Sequence, residues 1–269
     1  MAKEHIAIVY EGEKTEYGIF ENIADNFFPP DKTNVVPIHF PAAGNIYMLW
    51  KRLKDDTDQD VIELMRDASP RAKKMLEGLT RDDFSQLFLF FDYDKQAQNT
   101  KMTDDTLRKM LALFDNETAN GKLYISYPMA EAIRDYRSGD SCDRGCAVDL
   151  GIGKEYKNSV GTLKEFTHSK HYDIGKWKKL CLHAIKKAHC VIFGTYSVPA
   201  SRSYFINEMG QPQIFENQMK VFTPKNIVAV LSPFPLFLLE YFGPTFWNKM
   251  VGSGNNADSG LTGQDLLQD

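Results

Sequence analysis

The sequence predicts an α/β protein, a mostly parallel sheet flanked by helices, with a helical insert and an α-rich carboxyl-terminal region. Three observations carry this. Short apolar or β-branched runs at residues 5–10, 34–40, 86–91 and 122–126 read as strands. Helical spacing fills the intervals between them, and strand–helix alternation is the mark of parallel crossover units. Beyond residue 150 strand signals fade and helical patterns take over.

The first strand, 5–10, is stopped by Gly12. Residues 15–28 have helical spacing, with Phe20, Ile23, Ala24 and Phe27 on one side, and Pro29-Pro30 ends the run. After the strand at 34–40, residues 45–79 form a charged helical stretch. Ile46, Leu49, Trp50 and Leu53 mark one face, Val61, Leu64 and Met65 another, and Ser69-Pro70 breaks it. Residues 86–91 are almost entirely apolar, as a central strand covered on both faces requires. Thr103, Asp104 and Asp105 supply a helix start for 103–114. Asn120-Gly121 turns the chain into the strand at 122–126. Pro128 then fits the first turn of a helix reaching about residue 136. Farther on, 173–192 reads as a long helix and 219–241 as apolar and strand-poor. The domain organisation expected is a metal-binding domain at 1–150 with its insert at about 41–83, a basic, mostly helical region at 151–251, and a polar, glycine-rich tail at 252–269 that reads as flexible.

Charge is unevenly spread. Residues 1–150 hold 19 Lys+Arg against 27 Asp+Glu, whereas 151–225 hold 12 against 5. An acidic half suits divalent cations and a basic segment suits a polyphosphate. The apolar stretch at 227–247 is interrupted by Pro233, Pro235, Glu240 and Pro244, so no membrane association is expected. With no basic leader and only four cysteines, a cytoplasmic protein with reduced thiols is expected. Cys142, Cys146, Cys181 and Cys190 form no paired CxxC motif, so zinc is not expected.

The chemistry lies in the acids that end strands. Glu11 follows the first strand, Asp92 and Asp94 follow the strand at 86–91, and Glu131 follows the strand at 122–126. Parallel strands present their carboxyl ends on one sheet edge, which brings distant acids together. Asp92 and Asp94, two apart, face the same side of an extended chain. Singly, each acid has an ordinary use, as a turn cap or a partner for a helix dipole. Jointly they repel, and a hard divalent cation, Mg²⁺ or Mn²⁺, relieves the repulsion. Lys14 adds a cation for a phosphate. On the helix at 173–192, Lys176, Lys179, Lys186 and Lys187 form a basic stripe that suits a nucleic-acid backbone, joined by Arg202. Trp177 sits among them but reads as core.

The segment Glu11-Gly12-Glu13-Lys14-Thr15-Glu16 after one strand, with Asp92-Tyr93-Asp94 after another, resembles the TOPRIM domain. That domain is shared by topoisomerases, bacterial primases, OLD-family nucleases and small nucleases of bacterial defence. The EGEKTE form is most similar to the RloB-like and OLD-like branches. The resemblance spans about residues 4–137 and implies a Mg²⁺-dependent endonuclease, with Glu11, Asp92 and Asp94 as metal ligands. It also places Glu131, in Tyr127-Pro128-Met129-Ala130-Glu131, at the later acidic position of the nuclease branches. It further implies a toxin-like effector of anti-phage defence acting on DNA or RNA, with a partner such as an ABC-type ATPase. No topoisomerase tyrosine domain or primase zinc module is visible. Two alternatives stand beside this reading. One is a non-catalytic TOPRIM-like module acting through a partner. The other is a phosphatase of the haloacid-dehalogenase kind, disfavoured because Lys95-Gln96 follows Asp94 and a separate strand precedes the motif.

Overall fold

The computed structural model describes residues 3–42, 44–57, 59–99, 102–136, 146–161 and 165–252. The chain forms two compact units, Met1–Ile125 and Ser126–Asp269. The expected boundary near 150 thus falls earlier, for a reason visible in the backbone. Tyr127 exchanges hydrogen bonds with Leu231 (2.9 and 2.8 Å), and Val230 N–H donates to the Cys146 carbonyl at 2.7 Å. Residues just past the fourth expected strand are therefore tied to the far end of the chain.

The first unit is built on β1 (Glu4–Tyr10), α1 (Thr15–Phe27), β2 (Val35–Pro41), the three insert helices α2 (Ile46–Leu53), α3 (Val61–Ala68) and α4 (Pro70–Met75), then β3 (Phe84–Asp92), α5 (Asp104–Leu113), β4 (Asp115–Asn116) and β5 (Gly121–Ser126). The five strands make one mostly parallel sheet in the order β2-β1-β3-β5-β4, with β1 parallel to both β2 and β3 and the short β4 antiparallel to β5. Residues 6–10 of β1 and 87–91 of β3 are buried without alternation, because both strands lie inside the sheet and are covered on both faces. The periodicity of α1 works as expected: Ile19, Phe20, Ile23 and Phe27 are buried. Phe20 meets Phe90 edge-on at 4.8 Å and stacks on Tyr10 at 5.5 Å. Each such aromatic contact adds about 0.5–1.5 kcal/mol to its area burial. The insert divides where its sequence caps require. Asn45, Asp60 and Ser69 each accept a hydrogen bond from a backbone N–H in the helix they open.

The second unit contains β6 (Ala147–Asp149), α6 (Gly153–Val160), α7 (Ile174–Phe193), α8 (Arg202–Glu208), α9 (Gln211–Asn217), β7 (Ile227–Ala229), α10 (Pro233–Tyr241) and α11 (Pro244–Val251). It is α-rich, and α7 is its spine, packed against α9, α10 and α11. Asp173 caps α7 by accepting from Lys176 N–H at 2.7 Å, and Gly194, in the left-handed region at φ 78°, ends it. Trp177 is fully buried, as the helical spacing predicted, with its ring edge-on to Tyr172 at 5.7 Å. The apolar run at 227–247 becomes β7, α10 and part of α11, and Phe234, Leu236, Phe237, Leu238 and Leu239 are buried. No helix among the described residues is long and apolar enough to cross a membrane.

Two expectations are corrected here. Pro128 does not open an α-helix: its peptide bond with Tyr127 is cis, and only a short 3₁₀ turn, Ala130–Arg134, follows. The second unit also holds an antiparallel pair, β6 with β7, whose strands of three residues are too short to show alternation.

One buried amide ties this pair to the helices. Gln218 is fully buried; its Nε2 donates to the Ala229 carbonyl at 2.8 Å and its Oε1 accepts from Ala229 N–H at 3.0 Å. The side chain thus imitates a neighbouring strand for β7. Gln218→Leu is expected to strand both backbone groups and cost about 2–3 kcal/mol. Urea unfolding checks this; a loss below about 0.5 kcal/mol would show that water or a shifted strand replaces the amide.

Candidate functional site

In the order β2-β1-β3, the chain leaves β1 toward β2 on one side and leaves β3 toward β5 on the other. The carboxyl ends of β1 and β3 therefore flank a topological switch point, where open α/β sheets form their ligand crevices. The backbone fixes Glu11 and Asp92 there. Tyr10 is level with Phe90, and Glu11 N–H extends the ladder by donating to the Phe90 carbonyl at 3.1 Å. The Glu11 side chain then reaches across the strand end, and its Oε2 accepts from Asp92 N–H at 3.2 Å.

Asp94 is held in the following turn. Its Oδ1 accepts from Ala97 N–H at 3.0 Å and its Oδ2 from the Asn45 amide at 3.2 Å. Asn45 also caps α2, so the insert helix is locked to the strand-end acid by one side chain. Behind this turn stands Asp104 at the start of α5. It accepts from Tyr93 OH (2.8 Å), Lys95 Nζ (2.7 Å) and Gln98 Nε2 (2.6 Å). Burial alone would raise the proton affinity of Asp104; the bonds from Lys95, Gln98 and Tyr93 outweigh it and leave its pKa lowered. The Tyr47 hydroxyl accepts from the same Gln98 amide at 2.7 Å. Burial chiefly pushes the Tyr47 phenol up; the Gln98 bond opposes this, and the charges of Asp104, Asp94 and Glu11 add to the rise.

Glu16 is the residue whose part was least expected. By position an acid in the first turn of α1, it is buried, and its Oε1 accepts from Gly12 N–H at 2.8 Å. This bond closes the turn after β1 and explains its single glycine. A Cβ at position 12 would lie 2.6 Å from Glu16 Oε2 and 2.8 Å from Oε1. Gly12→Ala is expected to displace the Glu16 carboxylate, break the bond and cost about 1 kcal/mol. An unchanged unfolding midpoint would show that Glu16 can retreat without loss.

Electrostatically, Glu11 is the strained member. Burial raises its pKa from 4.5 to about 8; the Asp92 N–H bond opposes the rise, and Asp94 and Glu16 add to it. Among the described residues, no three His, Cys, Asp or Glu side chains lie together so as to hold a metal ion, so the expected convergence of Glu11, Asp92, Asp94 and Glu131 is not formed. The donor chemistry nevertheless fits a hard divalent cation: strand-end carboxylates, no thiol among them, and one acid whose proton is retained by burial and by neighbouring carboxylates that repel its charge.

The other expected residues take different places. Lys14 is exposed on the turn and forms no ion pair among the described residues. Glu131 belongs to the second unit, where it is 3% exposed and paired with Lys157 at 2.6 Å. The basic stripe on α7 is incomplete. Lys187 is buried, Lys179 pairs with Glu165 at 2.7 Å, and Lys176 and Lys186 lie 6.0 and 5.5 Å from the rings of Tyr172 and Tyr196. Arg202 donates to the carbonyls of Leu239 (3.3 Å) and Glu240 (2.7 Å), closing the end of α10 rather than offering itself to a phosphate. Cys146, Cys181 and Cys190 are free thiols, and Cys142 lies outside the described residues. No protein-family model, no curated protein and no solved structure matches this chain.

Proposed function

We propose that this protein is a Mg²⁺- or Mn²⁺-dependent phosphodiesterase, a TOPRIM-type endonuclease whose site is built on Glu11, Asp92 and Asp94. The observation that carries the reading is Glu11: a half-buried carboxylate at the switch point, reaching the backbone of Asp92 and raised to about 8 by desolvation, with Asp94 and Glu16 adding to the rise. A purely structural acid has no need of such a setting, and perturbed carboxylates in a sheet-edge crevice mark functional sites.

Glu11, Asp92 and Asp94 would hold the cation. Bound there, it would supply charge neutralisation for a phosphodiester and lower the pKa of an attacking water. The chain's own residues do the rest. Asp92 N–H fixes the Glu11 carboxylate across the strand end, and Asn45 and Ala97 fix Asp94. Asp104 holds Lys95 one residue from Asp94, so a cation is kept beside the acidic edge. Lys14 supplies a second, exposed cation for the phosphate. The resemblance to defence-associated members extends the reading to a toxin-like effector of anti-phage defence, working with a partner such as an ABC-type ATPase. The test is cleavage of plasmid DNA and of RNA with Mg²⁺ or Mn²⁺, comparing the wild type with Glu11→Gln and Asp92→Asn.

A further inference from the structure

The insert carries a feature that the carboxylate site does not use. A cleft of about 630 Å³ opens beside α4, lined by Arg66, Pro70, Lys73, Lys74, Glu77 and Leu79 among others. Its lining carries Lys73 and Lys74 against the single acid Glu77, with the third cation, Arg66, already paired to Glu63. Residues 68–76 contain Arg71, Lys73 and Lys74 and no acid at all, inside a region that is acidic overall. Arg66 is built into the wall, bonded to Glu63 and to the Leu79 carbonyl. Lys73 and Lys74 are exposed and form no ion pair among the described residues.

α4 neighbours α1, the helix that follows the first strand-end acid. Pro70 lines the cleft, and the next residue, Arg71, holds its guanidinium 4.6 Å from the Tyr17 ring. Tyr17 follows Glu16, whose carboxylate closes the turn after Glu11. α4 also packs against β2, the strand beside β1. α4 thus sits against β2 and α1, the two elements that adjoin β1 and its strand-end acid.

We infer that the α4 cleft binds the phosphodiester backbone of a nucleic acid, with Lys73 and Lys74 contacting phosphates on the strand that leads from the carboxylate site. This deepens the nuclease reading and rests on it for the direction of the strand, but binding itself is measured without catalysis. Exposed lysines on a concave wall recognise backbone charge rather than base sequence.

The test is fluorescence anisotropy of labelled single-stranded DNA and RNA of equal length, in EDTA, across a salt series. Wild type, Lys73→Glu with Lys74→Glu, and Lys73→Ala with Lys74→Ala are compared, with circular dichroism confirming the fold. The double reversal should weaken binding by about tenfold or more and flatten the salt slope by about 1.4, two single-strand phosphate contacts at about 0.7 each. The alanine pair should fall between. The DNA and RNA arms show which sugar the cleft accepts. Unchanged affinity and slope in both lysine pairs, or no binding by the wild type, overturns the inference. If the lysine pairs weaken binding as expected but the wild type cleaves neither nucleic acid with metal supplied, the cleft stands and the nuclease reading alone falls.

Discussion

Glu11→Gln and Asp92→Asn are each expected to lower metal-dependent cleavage by about a thousandfold or more, while leaving the fold intact. The size follows from the role: a metal-activated nucleophile and the charge stabilisation at the phosphate are lost together, and a single preorganised electrostatic contact is already worth about 10²–10³ in rate. The substitutions are nearly isosteric. Glu11→Gln can still accept from Asp92 N–H through its amide oxygen, so the bond across the strand end survives. Asp92 lies at the end of β3 rather than in the buried run before it. Asp94→Asn is expected to be similar in rate but costlier in structure, since Ala97 N–H and the Asn45 amide both donate to its oxygens and an amide side chain can accept from only one of them. Wild-type activity in all three variants, with metal supplied, would remove the carboxylate site from the chemistry.

What could be read in the sequence was local. A strand ends where β-branched and apolar residues stop, so Glu11 and Asp92 announced themselves at the ends of β1 and β3, and parallel alternation placed them on one edge. The parts that escaped depend on tertiary neighbours. Glu16 reads as an acid in a first helical turn, and only its burial against the Gly12 backbone shows that it shapes the turn. Asp104 reads as a helix starter, yet three donors from the loop after β3 converge on it. Asn45 opens the helical stretch at 45–79 and caps α2, but its amide also bridges to Asp94 forty-nine residues away. Lys187 is a different case. Positions 180, 184, 187 and 191 share a face of α7, and the burial of Leu180, Ala184 and Val191 already required Lys187 to turn inward with them. Counting lysines as a stripe overlooked the period that the same helix used for its core.

Metal-free protein is expected to lose stability between about pH 4.5 and pH 8 on account of Glu11, and Glu11→Gln is expected to abolish that loss. The Glu11 carboxyl has an ordinary pKa of 4.5, raised to about 8 in the fold by burial, with Asp94 and Glu16 adding to the rise. Between these values the folded chain keeps a proton that the unfolded chain gives up. Raising the pH therefore favours unfolding. The Glu11 contribution is fully favourable below about pH 4.5 and is lost as pH climbs through the folded value. Each pH unit between the two pKa values is worth about 1.36 kcal/mol, and with solvent access reducing the total the loss comes to about 2–4 kcal/mol. Asp104, whose pKa is lowered, acts in the opposite sense, contributing stability that is lost as pH falls. The difference between Glu11→Gln and wild type isolates the Glu11 part. Urea unfolding in EDTA should show near-equal stability of the two at about pH 4 and the variant ahead by about 2–4 kcal/mol at about pH 8.5. A difference independent of pH would mean that the fold does not hold the Glu11 carboxyl in its protonated form. Adding Mg²⁺ at the higher pH extends the argument, because a cation bound only to the folded state stabilises it by about 2.7 kcal/mol at a hundred times its Kd. The wild type should recover its lost stability in this way and Glu11→Gln should not, since the charge that made the fold costly is the charge that holds the ion.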